Sequence, residues 1–579
     1  MKSKYLRFFL LAILGEGILA FLFLMSKRSD PESAQLFGFS YLRLGFAGAS
    51  MVVLGFLVLV TFKAFRNVRW LEPATQRVAH YLEEPAGETG KKLFIVQGGF
   101  AIALVALIEA FFMTWISFPP PTRPMLFWII LICLQAWLIL RIVYASDYRK
   151  RPSLADSIRT RWQSWTSTQR KTSIILAVLG LIYFLAFIPA NLLRDSSGRF
   201  YMAADETVIY PDVAKVLLVQ DTFGGNVQNI LGTWPWWYGY PYLPICALVL
   251  VAPRLILGPN FVNNLQLNIF LLRQFVSVLP MVLSLIFLIY LLNRFKSLWL
   301  SVGMFVFLAM VPGVVKFNHQ FWHPDSIIVL LILLTIYFLE KDKLRFGRFY
   351  YSAAVTCGLT TAIKLWGLFF VLAIGGYLLA GLLQKQLTFK RAVLSGLGFI
   401  LAMAGTIIIT SPSLMAPYIT KVAVNSWLDQ QGKILHGFGG PDPTNDYGTG
   451  LTTWLRFFGF LFMKPFFFFF ALLSLAAGSL WGLRKSFNRL IIAWSAATGF
   501  YLINFSAAKN PAYMLPLMMP LFLGAMLFPS IVDDRPDSKN PAFLKKPLTR
   551  KILWAILLLV FLIQFVINCS ILLSGAVPR

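Results

Sequence analysis

Apolar residues in this chain run in long unbroken blocks, with neither the spacing of an amphipathic helix nor strict alternation. Blocks of about 17–25 such residues are long enough, as helices, to cross a hydrocarbon core of roughly 30 Å. They predict spans near 8–25, 39–62, 93–117 and 125–143, then a polar, basic stretch, Tyr144–Lys171, and a span over 173–190. A long loop follows, to about Asn268. Further spans are expected near 270–293, 298–316, 324–340, 392–411, 457–482, 490–506, 511–530 and 552–574, with a second large loop over Ser411–Thr453. Phe349–Leu383 has basic residues on both flanks, so two short spans must fold back on each other within it, turning near Lys364. The sum is about fifteen crossings, each of bilayer length, with the amino terminus inside and the carboxyl terminus outside. Pro241–Leu257 is apolar but interrupted by Pro244, Pro253 and Arg254. A crossing there would upset the alternation of loops, so it reads as an interfacial or re-entrant helix.

Composition sharpens this picture. Apolar residues make up 58% of the chain and charged ones 13%, with a mean hydropathy of +0.71. A soluble surface needs about a quarter of charged residues, so the expected fold is an all-α polytopic membrane protein. A β-barrel would show short alternating segments instead. The net charge of +28 would suit nucleic acid if it were concentrated. It is parcelled instead into short loops between spans, as in Arg149–Arg151, Lys341–Arg345, Lys385–Arg391 and Arg484–Arg489. That is the positive-inside bias, which orients a membrane protein and marks those loops as cytoplasmic. Cys133, Cys246, Cys357 and Cys569 sit in apolar stretches without metal-like or paired spacing and read as small buried residues. Met1–Met25 has no small-residue cleavage site before Lys27, so it reads as a retained anchor.

With the basic loops inside, several widely separated acids and three of the four histidines gather on the other face. Asp205 and Glu206 follow the apolar run Ile174–Ala190, and Asp212, Arg273, His319, His323 and Asp325 share their side. Lys364 stands at the hairpin tip, His436 in the second large loop, and Lys509 at a late outward turn. Carboxylates held where water is scarce are expensive and ask for a chemical reason. Glycosyl transfer from a lipid-linked sugar phosphate would use them: one acid removes the proton of an acceptor hydroxyl as it attacks the anomeric carbon. The departing phosphate gains charge and needs fixed cations, for which Lys364, Arg273 and Lys509 are candidates. Simpler readings exist for each group. An acidic pair beside a span can be a solvated cap, and Lys364 can snorkel to headgroups. His319 and His323, at i and i+4, could be a metal face or only a polar rim. Tyr238, Tyr240 and the tryptophans around them make an interfacial aromatic belt before they make a sugar-stacking surface.

At these residues the chain resembles the C superfamily of membrane glycosyltransferases, nearest to bacterial relatives of protein O-mannosyltransferase and lipid A aminoarabinose transferase. The likeness covers roughly Thr172 to Ser530. Ala204–Thr207 is similar to the Asp-Glu motif opening the first outer loop, and Tyr238–Tyr242 to an aromatic-proline segment before a juxtamembrane helix. Leu272–Gln274 resembles the arginine starting the next span, and His323–Asp325 a second acidic motif. Gly358–Lys364 looks like the segment whose lysine approaches the lipid phosphate, and Lys509–Pro516, with Tyr513, like a late-span motif. The sequence departs from the pattern at Ala512, where an arginine is expected, and at Thr361, displaced from its place before the lysine. Pro211 should break the helix after Asp-Glu.

The resemblance implies Asp205 as base, with Glu206 and Asp325 supporting acceptor or metal contacts. It implies substrate-binding roles for Arg273, His319, His323, Lys364, His436, Lys509, Tyr513, Tyr238 and Tyr240. It further implies an inverting transferase in a bacterial plasma membrane, acting extracytoplasmically between a polyprenyl-phosphate sugar donor and a lipid, glycan or protein hydroxyl. No cofactor is firmly implied, and a divalent cation is left open; nucleic acid is excluded. The organisation expected is a four-span extension (1–143), a basic linker (144–171), a glycosyltransferase-like core (172–530) with its catalytic loop at 191–268, and a cytoplasmic loop with a final span (531–579). The rival reading is a transporter or flippase of lipid-linked sugars, which would ordinarily show inverted repeats and midplane charges. Single cysteines at positions 364 and 436, in a background without the native cysteines, should react with an impermeant maleimide from the same side of the membrane. One at position 485 should react only from the other.

Overall fold

A computed structural model describes residues 162–192, 204–220, 223–231, 238–318, 322–415, 417–436, 450–481, 483–507, 511–532 and 546–574, together with isolated positions elsewhere. The chain divides into two units. One comprises Met1–Ser164, Val219–Gly232 and Pro412–Thr420, and its described residues include helical stretches over 45–53 and 103–111 and the helix Phe223–Leu231. The other, holding the rest of the chain, carries the features that follow.

Its elements are α1 (Ser167–Ala186), α2 (Ala204–Leu217), α3 (Tyr242–Leu257), α4 (Leu265–Asn293, with a π-helical turn over Arg273–Val278), α5 (Leu298–Ala309), α6 (Asp325–Asp342), α7 (Arg348–Ile363), α8 (Phe370–Leu383) and α9 (Phe389–Thr410). Then follow α10 (Pro417–His436, which begins in the first unit), α11 (Leu451–Leu461), α12 (Pro465–Leu480), α13 (Lys485–Phe505), α14 (Leu515–Met526) and α15 (Pro547–Leu573). No strand occurs among the described residues. Among the described residues, six stretches are long and apolar enough to cross a membrane, by length and composition. This is an all-α membrane protein. The larger count of crossings rests on the apolar runs of the sequence.

Polar contacts pin the two ends of the bundle. At the basic end, Glu340 near the close of α6 receives Arg294 Nη2 (2.7 Å) and Arg484 Nε (3.1 Å). The Arg294 carbonyl in turn accepts from Gln169 in the first turn of α1 (2.9 Å). Asp342 accepts from the amides of Phe346 (2.8 Å) and Gly347 (2.9 Å) and from the Tyr377 hydroxyl (2.9 Å). Those bonds satisfy the tight turn between α6 and α7 and bring the middle of α8 back to the same level. Helices here stop in left-handed caps, with φ of 54° at Arg294 and 52° at Lys343, satisfying last-turn carbonyls without long loops.

The other end holds the starts of α2 and α6 and the tip of the α7–α8 hairpin. Helix α7 runs back along α6 from Asp342 to Lys364, whose ammonium reaches Asp325 at the head of α6 (3.1 Å). Lys364 itself is extended, with φ −160° and ψ 139°, so the helix breaks at that residue before a 3₁₀ turn leads into α8. Phe349–Leu383 is therefore a helical hairpin turning at Lys364.

One local feature differs from what the pattern alone suggests. Helix α2 runs straight through Pro211. The intrahelical bond that proline forfeits would have gone to the carbonyl of Thr207, which lies on the exposed side of the helix, where other donors can reach it. Helix α3 together with the 3₁₀ turn that follows it, Tyr242–Asn263, meets the length and apolarity for a crossing, yet both ends of α3 stay near the site. Tyr242 at its start stacks on Trp322 (5.8 Å between rings). Just past its end, Phe261 and Val262 accept from Asn268 (2.8 Å) and the Tyr210 hydroxyl (3.0 Å). Asn268 and Tyr210 are less than two helical turns, about 10 Å, from Arg273 and Glu206. So α3 lies across that end.

Tyr238–Tyr240 is held against the hairpin tip by the Gly239 amide, which donates to the Ile363 carbonyl (2.8 Å). A Cβ at Gly239 would fall 1.4 Å from the Ala362 oxygen, backbone that cannot give way. Gly239→Ala should therefore exceed the roughly 1–3 kcal/mol usual for overpacking. Its measure is a large drop in the thermal midpoint of the detergent-solubilised protein; an unchanged midpoint would contradict this packing.

Candidate active site

Adjacent residues on a helix point about 100° apart, and Asp205 and Glu206 accordingly have different surroundings. Glu206 is fully buried and takes a two-pronged bond from Arg273: Nε to Oε1 (2.8 Å) and Nη2 to Oε2 (2.6 Å). Its Oε1 also accepts from the backbone amide of Trp322 (2.9 Å), and Arg273 Nη1 reaches the Asn191 carbonyl (3.3 Å). The pair thus ties four segments: the close of the Ile188–Leu192 turn, α2, the π-helical turn of α4, and the strand of chain before α6. The wider π turn sets the guanidinium toward α2. Neither residue lines the cavity described next. They hold the walls from behind, where both side chains are fully buried.

Asp205 faces a cavity of about 520 Å³. Its Oδ2 accepts from the Tyr238 hydroxyl (3.0 Å), and the same hydroxyl lies 2.7 Å from Nε2 of His323. Nδ1 of His323 is in contact with the Asp325 carboxylate. Asp325 is gripped on its other side by Lys364 Nζ, at 3.1 Å from Oδ1 and 3.2 Å from Oδ2. One chain of polar contacts therefore runs Asp205–Tyr238–His323–Asp325–Lys364, drawn from α2, the aromatic loop, the turn before α6, α6 itself and the hairpin tip. Ser277 of α4 fixes the histidine backbone, accepting from its amide (3.0 Å). The Lys364 ammonium also sits over the rings of Tyr513 (5.0 Å) and Tyr238 (5.7 Å). Those aromatic faces stabilise the cation where water is sparse.

Burial lowers the affinity of His323 for a proton, against the opposing pull of Asp325 and with the help of Lys364. The Tyr238 hydroxyl is pushed well above its ordinary range by burial and by the neighbouring carboxylates of Asp205 and Asp325. At neutral pH the chain thus contains a neutral imidazole and a protonated phenol. Burial at Asp325 is outweighed by contact with His323 and Lys364, which hold its carboxyl below the ordinary range. Asp205, which accepts from Tyr238, is the carboxylate that faces the cavity.

The rest of the cavity wall is apolar and aromatic, with Trp366, Phe369 and Tyr501 in succession. A second polar group comes from one face of α10, where Trp427, Gln430, Gln431 and Ile434 recur at helical spacing. Gln431 accepts from the Tyr501 hydroxyl (2.9 Å), and Lys433, also on the wall, pairs with Asp429 (2.7 Å). Sequence reasoning passed over this face. The recurrence of tryptophan and amides between large apolar positions was the available signal.

Of the residues singled out from sequence, Asp205, Tyr238, His323, Lys364 and Tyr513 line this cavity, with Asp325 directly behind. Tyr240 is buried and is not part of the wall. His319 and Lys509 lie outside the described residues, as does the side chain of His436, the last position of α10. No group of three or more histidines, cysteines or acids stands in metal-holding geometry among the described residues. Comparison of the chain with protein-family models and with curated proteins finds no match.

Breaking the inner ion pair should show as a loss of structure. Arg273→Met strands Glu206 in a fully buried position, and losing one partner of such a pair typically costs about 3–5 kcal/mol. The double variant Glu206→Leu/Arg273→Met should recover part of the lost thermal stability, which a melting series of the two variants measures.

Proposed function

We propose that this protein is an integral membrane glycosyltransferase of the inverting type. It moves a sugar from a polyprenyl-phosphate donor to a lipid, glycan or protein hydroxyl on the extracytoplasmic side. The observation that carries this reading is the meeting of Asp205, His323, Asp325 and Lys364 around one cavity with aromatic and apolar walls. These are groups of remote sequence position at one end of the bundle. A base for the acceptor, a cation for the leaving phosphate and a greasy wall for a prenyl chain are what this reaction requires. Sidedness is supported by charge: Arg294, Lys341, Lys343, Arg348, Lys390, Arg484 and Lys485 flank the ends of helices opposite the cavity, and basic loops stay in the cytoplasm.

In this mechanism Asp205 takes the acceptor's hydroxyl proton while the acceptor oxygen attacks the anomeric carbon from the face opposite the phosphate. The anomeric carbon–oxygen bond to phosphate breaks, its electron pair leaving with the polyprenyl phosphate. Lys364 keeps one N–H free of its two contacts with Asp325 for the developing charge. The sugar hydroxyls are assigned to the amides of Gln430 and Gln431.

The decisive measurement follows the donor. Membranes enriched in the protein should consume one lipid-linked sugar, detected by mass spectrometry of extracted lipids and glycans. Asp205→Asn should reduce that consumption by about 10²–10⁴-fold, the usual contribution of a general base, with yield and thermal midpoint unchanged. Undiminished turnover in that variant would remove Asp205 from the chemistry.

A further inference from the structure

The hydroxyl of Tyr238 lies between two groups that both want its single hydrogen. The Asp325 carboxylate can only accept and touches Nδ1 of His323, so Nδ1 carries its hydrogen toward that carboxylate rather than accepting from the Asp325 amide at 3.3 Å. With Asp205 ionised and His323 neutral in this tautomer, the row Oδ2···O···Nε2 holds one hydrogen for two contacts of 3.0 and 2.7 Å. One added proton satisfies both. Placed on Asp205 Oδ2, it donates to the tyrosine oxygen while tyrosine donates to Nε2. Placed on Nε2, it donates to the tyrosine oxygen while tyrosine donates to Oδ2. The two arrangements contain the same atoms and the same net charge, and they interconvert by a concerted shift of two hydrogens. Neither contact can be traded for water easily, because Tyr238 is 5% exposed and His323 3%.

We propose that Tyr238 is a positioning residue that joins Asp205 and His323 into one titrating unit holding a single shared proton. The gain of a second hydrogen bond is what favours uptake of that one proton by the unit as a whole. Oδ2 has a second lone pair beside the one that accepts from tyrosine, through which the acceptor hydroxyl reaches the same oxygen. In its bearing on catalysis this rests on the transferase reading: the proton that completes the row is the one released when the acceptor's O–H bond breaks as its oxygen bonds to the sugar. The groups around the unit are Asp325 from α6, Lys364 from the hairpin tip, Tyr513 ahead of α14, Tyr501 of α13, and Lys433 with Asp429 on α10. The neutralised Glu206–Arg273 pair stands behind Tyr242. Asp325 and Lys364 carry opposite charges in direct contact, so across the neutral range they leave Asp205 and His323 as the pair that takes up the proton. As pH falls the unit gains that proton and loses its capacity as a base; as pH rises it regains it.

The test needs no substrate. The chain has four histidines, and replacing His80, His319 and His436 by glutamine leaves His323 alone to carry a ¹⁵N ring label. Its titration is read by NMR in detergent for that parent, for Asp205→Asn, for Tyr238→Phe and for both together. The expected result is that Asp205→Asn lowers the His323 midpoint by about one pH unit or more, the mark of coupled sites. In the Tyr238→Phe background the same change should move it by less than half as much. An equal shift with and without the tyrosine hydroxyl would show through-space attraction alone and overturn the proposal, as would no shift in the parent. Coupling without any donor turnover would strike down the reaction and leave the proton unit standing.

Discussion

The site end of this protein depends on one buried ion pair. Glu206 and Arg273 are removed from water entirely, and the Trp322 amide and the Asn191 carbonyl add to their two parallel bonds. A buried pair of this kind contributes little net stability over apolar packing, because desolvation opposes the attraction. What it supplies is register. It fixes the rotation of α2, and a helix whose Glu206 points inward must turn Asp205 by about 100° to another side, here onto the cavity. It also fixes the approach to α6, since Trp322 immediately precedes His323. The placement of the carboxylate and the histidine is thus set by the same bond.

How far this was legible in the sequence differs by level. The helical membrane class follows from the length of the apolar blocks, since no other backbone arrangement satisfies its polar groups in lipid except a closed barrel. The hairpin at Lys364 follows from charge on both flanks of Phe349–Leu383, and the structure realises it with an extended residue at the tip. Asp205, His323, Asp325 and Lys364 could be gathered to one end because loop alternation leaves them no other. Their contacts could not be read. Nothing in the chain says that Glu206 turns inward to Arg273, because two adjacent acids are equivalent until a helix is oriented. Nor could α10 be foreseen as a wall: Trp427, Gln430 and Gln431 declare a common face only once Pro417–His436 is known to be helical. Pro211 misled, since its missing hydrogen bond matters only where no other donor can reach the carbonyl left behind.

The site is also unusual in how its charges are distributed. A lysine at a hairpin tip reads as a free cation for a phosphate, but Lys364 is shared between Asp325 and two aromatic rings. Such sharing keeps an ammonium charged and aimed in a poorly hydrated space, at the expense of its attraction for an anion. The reading of phosphate binding therefore rests on the one donor that remains and on the exclusion of water by Trp366, Phe369 and Tyr501, which strengthens each surviving interaction. The amides of α10 would complement this by addressing neutral hydroxyls rather than charge.

At the far end, Glu340 grips arginines from the close of α4 and the start of α13, and Asp342 laces α6, α7 and α8 together. Helices fastened at one tip and held at the other by a few polar contacts behave as the arms of a clothes-peg. The fastened end forbids sliding one helix past another, so relative movement at the site end is a parting of the arms.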